Sequence, residues 1–146
     1  MSGFNGTPEF SLADGWTGPG PGPQSQGPEY RHRQLHPDWI RLVSISPQSR
    51  SNWLDLSVEQ YPIYYGDVIP YTALSYCWGD PAATKPIKLN GLDFHITSNL
   101  WDALQSIVRY HDASALYWID AICIDQTNLD ERNEQVHRMW YIFSAA

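Results

Sequence analysis

The chain has 146 residues, 42% of them hydrophobic, and its 9 Lys and Arg against 16 Asp and Glu give a formal net charge of -7. With Trp 7 and Tyr 9 there is bulky apolar area enough for the core of one domain, while the negative charge and the lack of a basic stripe exclude nucleic acid as partner. The longest apolar run, Ala115 to Ile124, is interrupted by Asp120 and falls short of the ~20 residues that span a bilayer, which excludes a membrane partner.

From Met1 to about Tyr30 the chain is dominated by Gly, Pro, Ser and Gln and has neither helical nor strand periodicity, so residues 1–30 read as a disordered tail. Order is expected near Trp39, where Ile40, Leu42 and Ser44 alternate with Arg41, Val43 and Ile45 as in a strand. A second strand is expected over Trp53 to Val58, with Leu54, Leu56 and Val58 on one face. A third runs from Tyr71 to Trp78. The segment PIKLNGLDFHIT holds Asn90-Gly91 between two alternating runs, the signature of a type I′ hairpin.

Thr97-Ser98 offers an N-cap, and Leu100, Ala103, Leu104, Ile107 and Val108 recur along one face, predicting a helix over Asn99 to Tyr110. Ala115 to Ile124 is bulky and nearly continuous, as in a strand covered on both faces. Asn128 with Glu131 three residues on resembles a capping box, and Val136, Met139, Trp140 and Phe143 form an apolar stripe beyond it. A last helix is therefore expected from Leu129 onward, with Trp140 toward the core. Strand, helix and strand over Tyr71 to Ile124 describe a βαβ unit with the hairpin inserted in its crossover. Its two polar exits, SYCWGD and DQTN, would then share one edge of the sheet, where open α/β folds bind ligands. A final amphipathic helix with no strand after it suggests the N-terminal portion, 38–146, of a larger domain.

Cys77 and Cys123 sit inside apolar blocks and read as core thiols in a reducing compartment. With no basic start or apolar middle at the N-terminus, a cytoplasmic location is expected. The five His are scattered without H-E-x-x-H or C-x-x-C spacing, so no metal site is expected.

The blocks YTALSYCWGD, NGLDFHITSNLWDAL and ALYWIDAICIDQTNLDERNEQV, in this order and spacing, resemble the fungal heterokaryon-incompatibility (HET) domain over about Trp39 to Ala146. Its pattern runs Y-x-A-L-S-Y-x-W-G, I-x-L-N-G, N-L-x-x-A-L, L-W-I-D-A-I-C-I-N-Q and E-R-x-x-Q-V-x-x-M. Asp125 stands where the family most often has Asn, and Tyr117 where Leu is commoner. The resemblance implies a role in fungal non-self recognition and regulated cell death. It also implies a fold related to the Toll/interleukin-1 receptor (TIR) domain, a flavodoxin-like, open and mostly parallel α/β sheet. Since some TIR domains cleave nicotinamide from NAD, NAD glycohydrolase activity follows as an analogy.

Asp120 inside an apolar run needs partners or a raised pKa, and either a network with Ser75 or Tyr76 or a ligand-contacting acid fits that need. Trp78 and Gly79 offer a stacking wall and a close backbone approach for a nucleotide, or else a packed aromatic and a turn glycine. Asp125 and Gln126 lie at the exit of the second block, where Gln126 suits ribose hydroxyls or closure of the loop. Glu131 is a helix-capping acid or one that stabilises the cationic sugar formed as a glycosidic bond breaks. Two mechanisms remain open: nucleotide cleavage in this crevice, or self-association and docking to other proteins without turnover.

Overall fold

The first strand of the sheet, β1 (Trp39–Ile45), buries Ile40, Arg41, Leu42 and Val43 in succession, so both of its faces are covered. The computed structural model describes residues 28–49, 53–63, 69–110 and 114–146. The remaining strands are β2 (Asp55–Pro62), β3 (Thr72–Ala73), β4 (Thr84–Leu89), β5 (Leu92–Thr97) and β6 (Leu116–Trp118). The helices are α1 (Ser98–Tyr110), the single turn α2 (Asp120–Cys123) and α3 (Leu129–Ala145). Among the described residues the strands form one six-stranded sheet in the order β3-β6-β1-β2-β4-β5.

The fold is α/β, but the expected mostly parallel sheet is corrected to a mixed one. Only β3 with β6 and β2 with β4 run parallel; β1 with β2, β1 with β6 and β4 with β5 are antiparallel. The link over residues 46–54 is too short for the crossover that a parallel β1–β2 pair requires. The hairpin is as expected. Asn90 and Gly91 carry φ 53° and 79°, the two positive values of a type I′ turn. Asn90 also accepts from the Val58 N–H (2.8 Å) and donates to the Val58 carbonyl (3.1 Å), fastening the hairpin to β2.

Helix α1 begins where Thr97 Oγ1 accepts from the Leu100 N–H (3.3 Å), and it packs Leu100, Leu104 and Ile107 inward beside β4 and β5. At the start of α3, Asn128 Oδ1 accepts from the Glu131 N–H (3.1 Å), the expected cap. Tyr71 donates to the Ile142 carbonyl (2.6 Å), and Phe143 meets Trp118 edge-on, so α3 lies over β6. Its outward face differs from expectation: Trp140 and Val136 are exposed, whereas Glu131, Gln135 and Ile142 are buried.

Two strands are shorter than the sequence suggested. The Tyr71–Trp78 run pairs only at Thr72 and Ala73, and the Ala115–Ile124 run leaves the sheet after Trp118 and coils into α2. A short apolar run has no period that separates strand from buried helical turn. Of the expected tail, residues 1–27 lie outside the described residues. Among the described residues the chain already packs ahead of Trp39: Tyr30 N–H donates to the Asp93 carbonyl (2.8 Å) and Asp93 N–H to that of Pro28 (3.0 Å). The arm thereby lies along the edge strand β5.

A Cβ at Gly91 would meet no atom within 4 Å, so the constraint on this residue is φ alone. Gly91→Ala is expected to cost about 1 kcal/mol through positive-φ strain, measured as a shift in the urea unfolding midpoint at unchanged slope.

Candidate functional site

Parallel pairing of Thr72 with Tyr117 and Ala73 with Trp118 sends β3 and β6 out of the sheet at the same edge. The chain after β3 leaves through Leu74, whose N–H donates to the Trp118 carbonyl (2.8 Å), and then exposes Ser75, Cys77, Trp78 and Gly79. Cys77 is thus not the core thiol expected, whereas Cys123 is fully buried and its thiol is pushed up to about 12 by that burial.

The two exits meet at Trp78 and Asp120. The indole Nε1–H of Trp78 points at both carboxylate oxygens of Asp120, 3.2 Å from each. Burial raises the Asp120 carboxyl above the ordinary carboxylate value, and the Trp78 N–H and neighbouring backbone N–H groups offset part of the rise. Tyr76 brings its buried hydroxyl beside Asp120 without reaching a well-formed hydrogen bond. Desolvation, first, and then the Asp120 charge push the Tyr76 phenol far above its usual value, so it stays protonated as a donor. Trp78 itself remains about a third exposed beside the shielded carboxyl.

Gly79 has φ +73°, and a Cβ there would stand 2.5 Å from Asn99 Nδ2. Asn99, at the start of α1, donates to the Cys77 carbonyl (3.0 Å) and so pins the loop that carries Trp78. The close approach that requires glycine is therefore to Asn99.

A second cluster fixes α2 from behind. Arg41 Nη1 donates to Glu131 Oε2 (2.6 Å) and to the Cys123 carbonyl (3.0 Å); Nη2 donates to Glu131 Oε1 (3.0 Å) and to the Arg33 carbonyl (2.6 Å). Glu131 Oε2 also accepts from the Asp125 N–H (2.7 Å). Arg41 is 2% exposed and Glu131 9%, so this bidentate pair is removed from water. Glu131 is thereby neither the reciprocal half of a capping box nor a free acid at the Trp78 edge.

Three of the four α2 carbonyls are met by side-chain donors. Gln126 Nε2 donates to the Asp120 carbonyl (3.0 Å), His32 Nε2 lies 2.7 Å from that of Ile122, and Arg41 takes that of Cys123. Asp125 closes its own turn, accepting from the Thr127 N–H (3.1 Å) and hydroxyl (2.6 Å). Of the nominated residues, then, Tyr76, Trp78 and Asp120 come together; Asp125, Gln126 and Glu131 build the frame behind them; Ser75 stands exposed on the loop. Sequence reasoning missed Arg41, His32 and Asn99. Arg41 was legible in principle, since an arginine within an apolar strand requires an acid partner as surely as Asp120 requires donors.

A cavity of about 350 Å³ lies along α1, lined by residues including Trp101, Gln105 and Arg109, and no nominated residue lines it. Among the described residues no helix is long and apolar enough to cross a membrane.

The model of the family described as Heterokaryon incompatibility protein (HET) matches residues 71–146. That stretch contains both exits, the hairpin, α1 and α3. Heterokaryon incompatibility protein 6, OR allele, of Neurospora crassa is 33% identical over 119 residues, covering 73% of this chain and 17% of the relative. The chain thus spans about a sixth of that protein's length. No solved structure matches it significantly.

Because the folded state holds the Asp120 proton more tightly than the unfolded state, stability falls as pH rises from the unfolded value, 3.8, through the raised folded value. Asp120→Asn should flatten that slope, leaving a thermal midpoint at neutral pH equal to or above that of the parent. Parallel pH profiles for the two proteins would show that Asp120 is not desolvated.

Proposed function

The chain belongs to the HET family, and from that premise we propose that it acts in the cytoplasm as a module of fungal non-self recognition coupled to regulated cell death. The fold-level likeness to TIR domains belongs to this proposal, and with it the use of the Trp78–Asp120 edge as a nucleotide site. One observation carries the reading: parallel β3 and β6 bring a part-exposed indole and a desolvated carboxyl together, with the indole Nε1 3.2 Å from the carboxylate oxygens. An aromatic face suits a nicotinamide or adenine ring, and a carboxyl beside it suits a ribose.

In cleavage of NAD, the bond from ribose C1′ to the nicotinamide nitrogen breaks and its electron pair leaves with nicotinamide, whose positive charge is discharged. The cationic sugar left behind is stabilised by an ionised carboxylate until water adds at C1′ and releases a proton to solvent. Among the described residues Asp120 suits that role, because Glu131 is committed to Arg41. Its raised pKa means that the rate falls on the acid side as the carboxylate protonates.

A second reading, signalling by association without turnover, is favoured by the exposure of Trp140 on α3. Incubating the full chain with NAD and following free nicotinamide separates the two. Release is expected from the parent, with a loss of at least about 100-fold in Asp120→Asn at a thermal midpoint no lower than the parent's, the scale of a lost general acid–base or charge-stabilising group. An assembled preparation that kills cells yet releases no nicotinamide would exclude the enzymatic reading.

A further inference from the structure

The arm that precedes β1 is fastened at many points and buried at none: no residue from Pro28 to Asp38 is fully covered. It joins the sheet by one parallel bridge, Glu29 opposite Asp93, whereas β1 pairs with β2 along its whole length. Tyr30, His32 and Phe94 then meet as T-shaped pairs with ring centroids 5.1 to 6.0 Å apart. His32 goes on to reach α2. A carbonyl can only accept, so the 2.7 Å contact with Ile122 places a proton on Nε2, and Nδ1 lies 3.9 Å from the Asp125 carboxylate. Beyond it the Arg33 carbonyl accepts from Arg41, and the Gln60 side chain takes the Gln34 carbonyl and the His36 N–H.

We propose that this arm is a strap that controls the Trp78–Asp120 edge. Seated, it completes the bonding of α2 and holds Asp120 against Trp78; lifted, it lets the turn fray and parts the two. The inference rests on reading that edge as the site, and it adds the element that regulates it.

The strap can leave without unfolding the protein. Its departure strands no buried charge, because Arg41 keeps both bonds to Glu131 and the bond to the Cys123 carbonyl. The groups it frees, among them the Asp93 N–H and carbonyl and one Arg41 N–H, meet the water that replaces it. Segments held by exposed backbone bonds and few buried contacts open far more often than the core. Arg31, Arg33 and His36 stand exposed on the strap, so a partner can take hold of it while it is seated.

α2 answers to the strap because its own ladder is a single turn. The Ile124 N–H closes onto the Asp120 carbonyl itself (3.2 Å), so a turn that frays at its end loosens its first residue. The Tyr30 ring stands close to the same turn: burial foremost raises its phenol above the ordinary value, and Arg41, Cys123 and Asp125 all lie near enough to act on it. With the strap seated, Ile122, Cys123 and Ile124 are all buried. Coupling of this kind runs both ways, so a ligand held between Trp78 and Asp120 tightens the strap.

NMR of the full chain at neutral pH, without nucleotide, tests this, and its outcome does not depend on whether the chain cleaves NAD. The reporters are hydrogen exchange at the Cys123 and Ile124 amides and the shift of the Trp78 indole N–H, assigned by its absence from Trp78→Phe. His32→Leu, which removes the donor to Ile122, should speed exchange of both amides about tenfold, the scale of one lost hydrogen bond, and move the indole resonance toward that of free indole. Tyr30→Ala removes a ring that packs on Phe94 rather than bonding to α2, and it should do the same by loosening the strap at β5. His32→Gln, which restores an N–H at similar reach, should return both reporters toward the parent. Amides of β1, corrected for any change in global stability, should keep their rates in all three variants. Acceleration shared equally by β1 would mean a structural role only and overturn the proposal. Parent-like α2 rates in both His32→Leu and Tyr30→Ala would overturn it too, as would a loosened α2 with an unmoved indole.

Discussion

The buried ion pair between Arg41 and Glu131 ties together elements that share no backbone pairing. Its guanidinium springs from the sheet interior, and its carboxylate from the first turn of the last helix. Around these two groups gather the Cys123 carbonyl of α2, the Arg33 carbonyl of the N-terminal arm and the Asp125 N–H of the α2–α3 turn. Such a pair adds little over a well-packed apolar substitute, but removing one partner leaves an uncompensated charge and costs about 3–5 kcal/mol. That asymmetry makes it an organising device: any rearrangement that parts α3 from β1 must strand a buried charge.

The site inherits its geometry from that constraint. A helix of four residues has a ladder of a single turn, Cys123 N–H to the Ile119 carbonyl (2.7 Å) and Ile124 N–H to the Asp120 carbonyl (3.2 Å), so α2 relies further on donors from outside. Gln126, His32 and Arg41 each take one of its carbonyls, and together they fix the turn on which Asp120 is the first residue. From the other side Asn99 holds the loop of Trp78 against Gly79. The contact of Trp78 with Asp120 is thus the meeting of two independently anchored segments. The arm that supplies His32 also runs along β5, so the edge of the sheet and the back of the site are covered by one stretch of chain.

Much of this was legible in the residues. Asn90-Gly91 announced its turn because few residue pairs tolerate two positive φ values, and Leu100, Leu104 and Ile107 announced the buried side of α1 through their spacing. The convergence of the two polar exits followed from reading β3 and β6 as parallel neighbours. What failed did so for identifiable reasons. Strand direction is not written in apolar runs, so the antiparallel pairing of β1 with β2 and with β6 was missed, whereas that of β4 with β5 was announced by its turn. The face of α3 was misjudged because the stripe of Val136, Trp140 and Phe143 was weighed without Arg41. Turning Glu131 inward satisfies the guanidinium, and Ile142, Met139 and Ala145 supply apolar cover on the same side. The helix therefore gives up the exposed stripe at modest cost. From its position Glu131 reads as a capping acid or as a cleft acid; its backbone N–H meets the Asn128 cap while its side chain is held by Arg41.

The most direct test of the account is a double-mutant cycle on Arg41→Met and Glu131→Leu, read by urea unfolding at neutral pH. Each single change should lose about 3–5 kcal/mol, and the double variant should lose far less than their sum, giving a coupling above about 2 kcal/mol. Losses that add to within about 0.5 kcal/mol would mean that the two side chains act independently, and the pair could not then be what holds α2, α3 and the Asp120 site on the sheet.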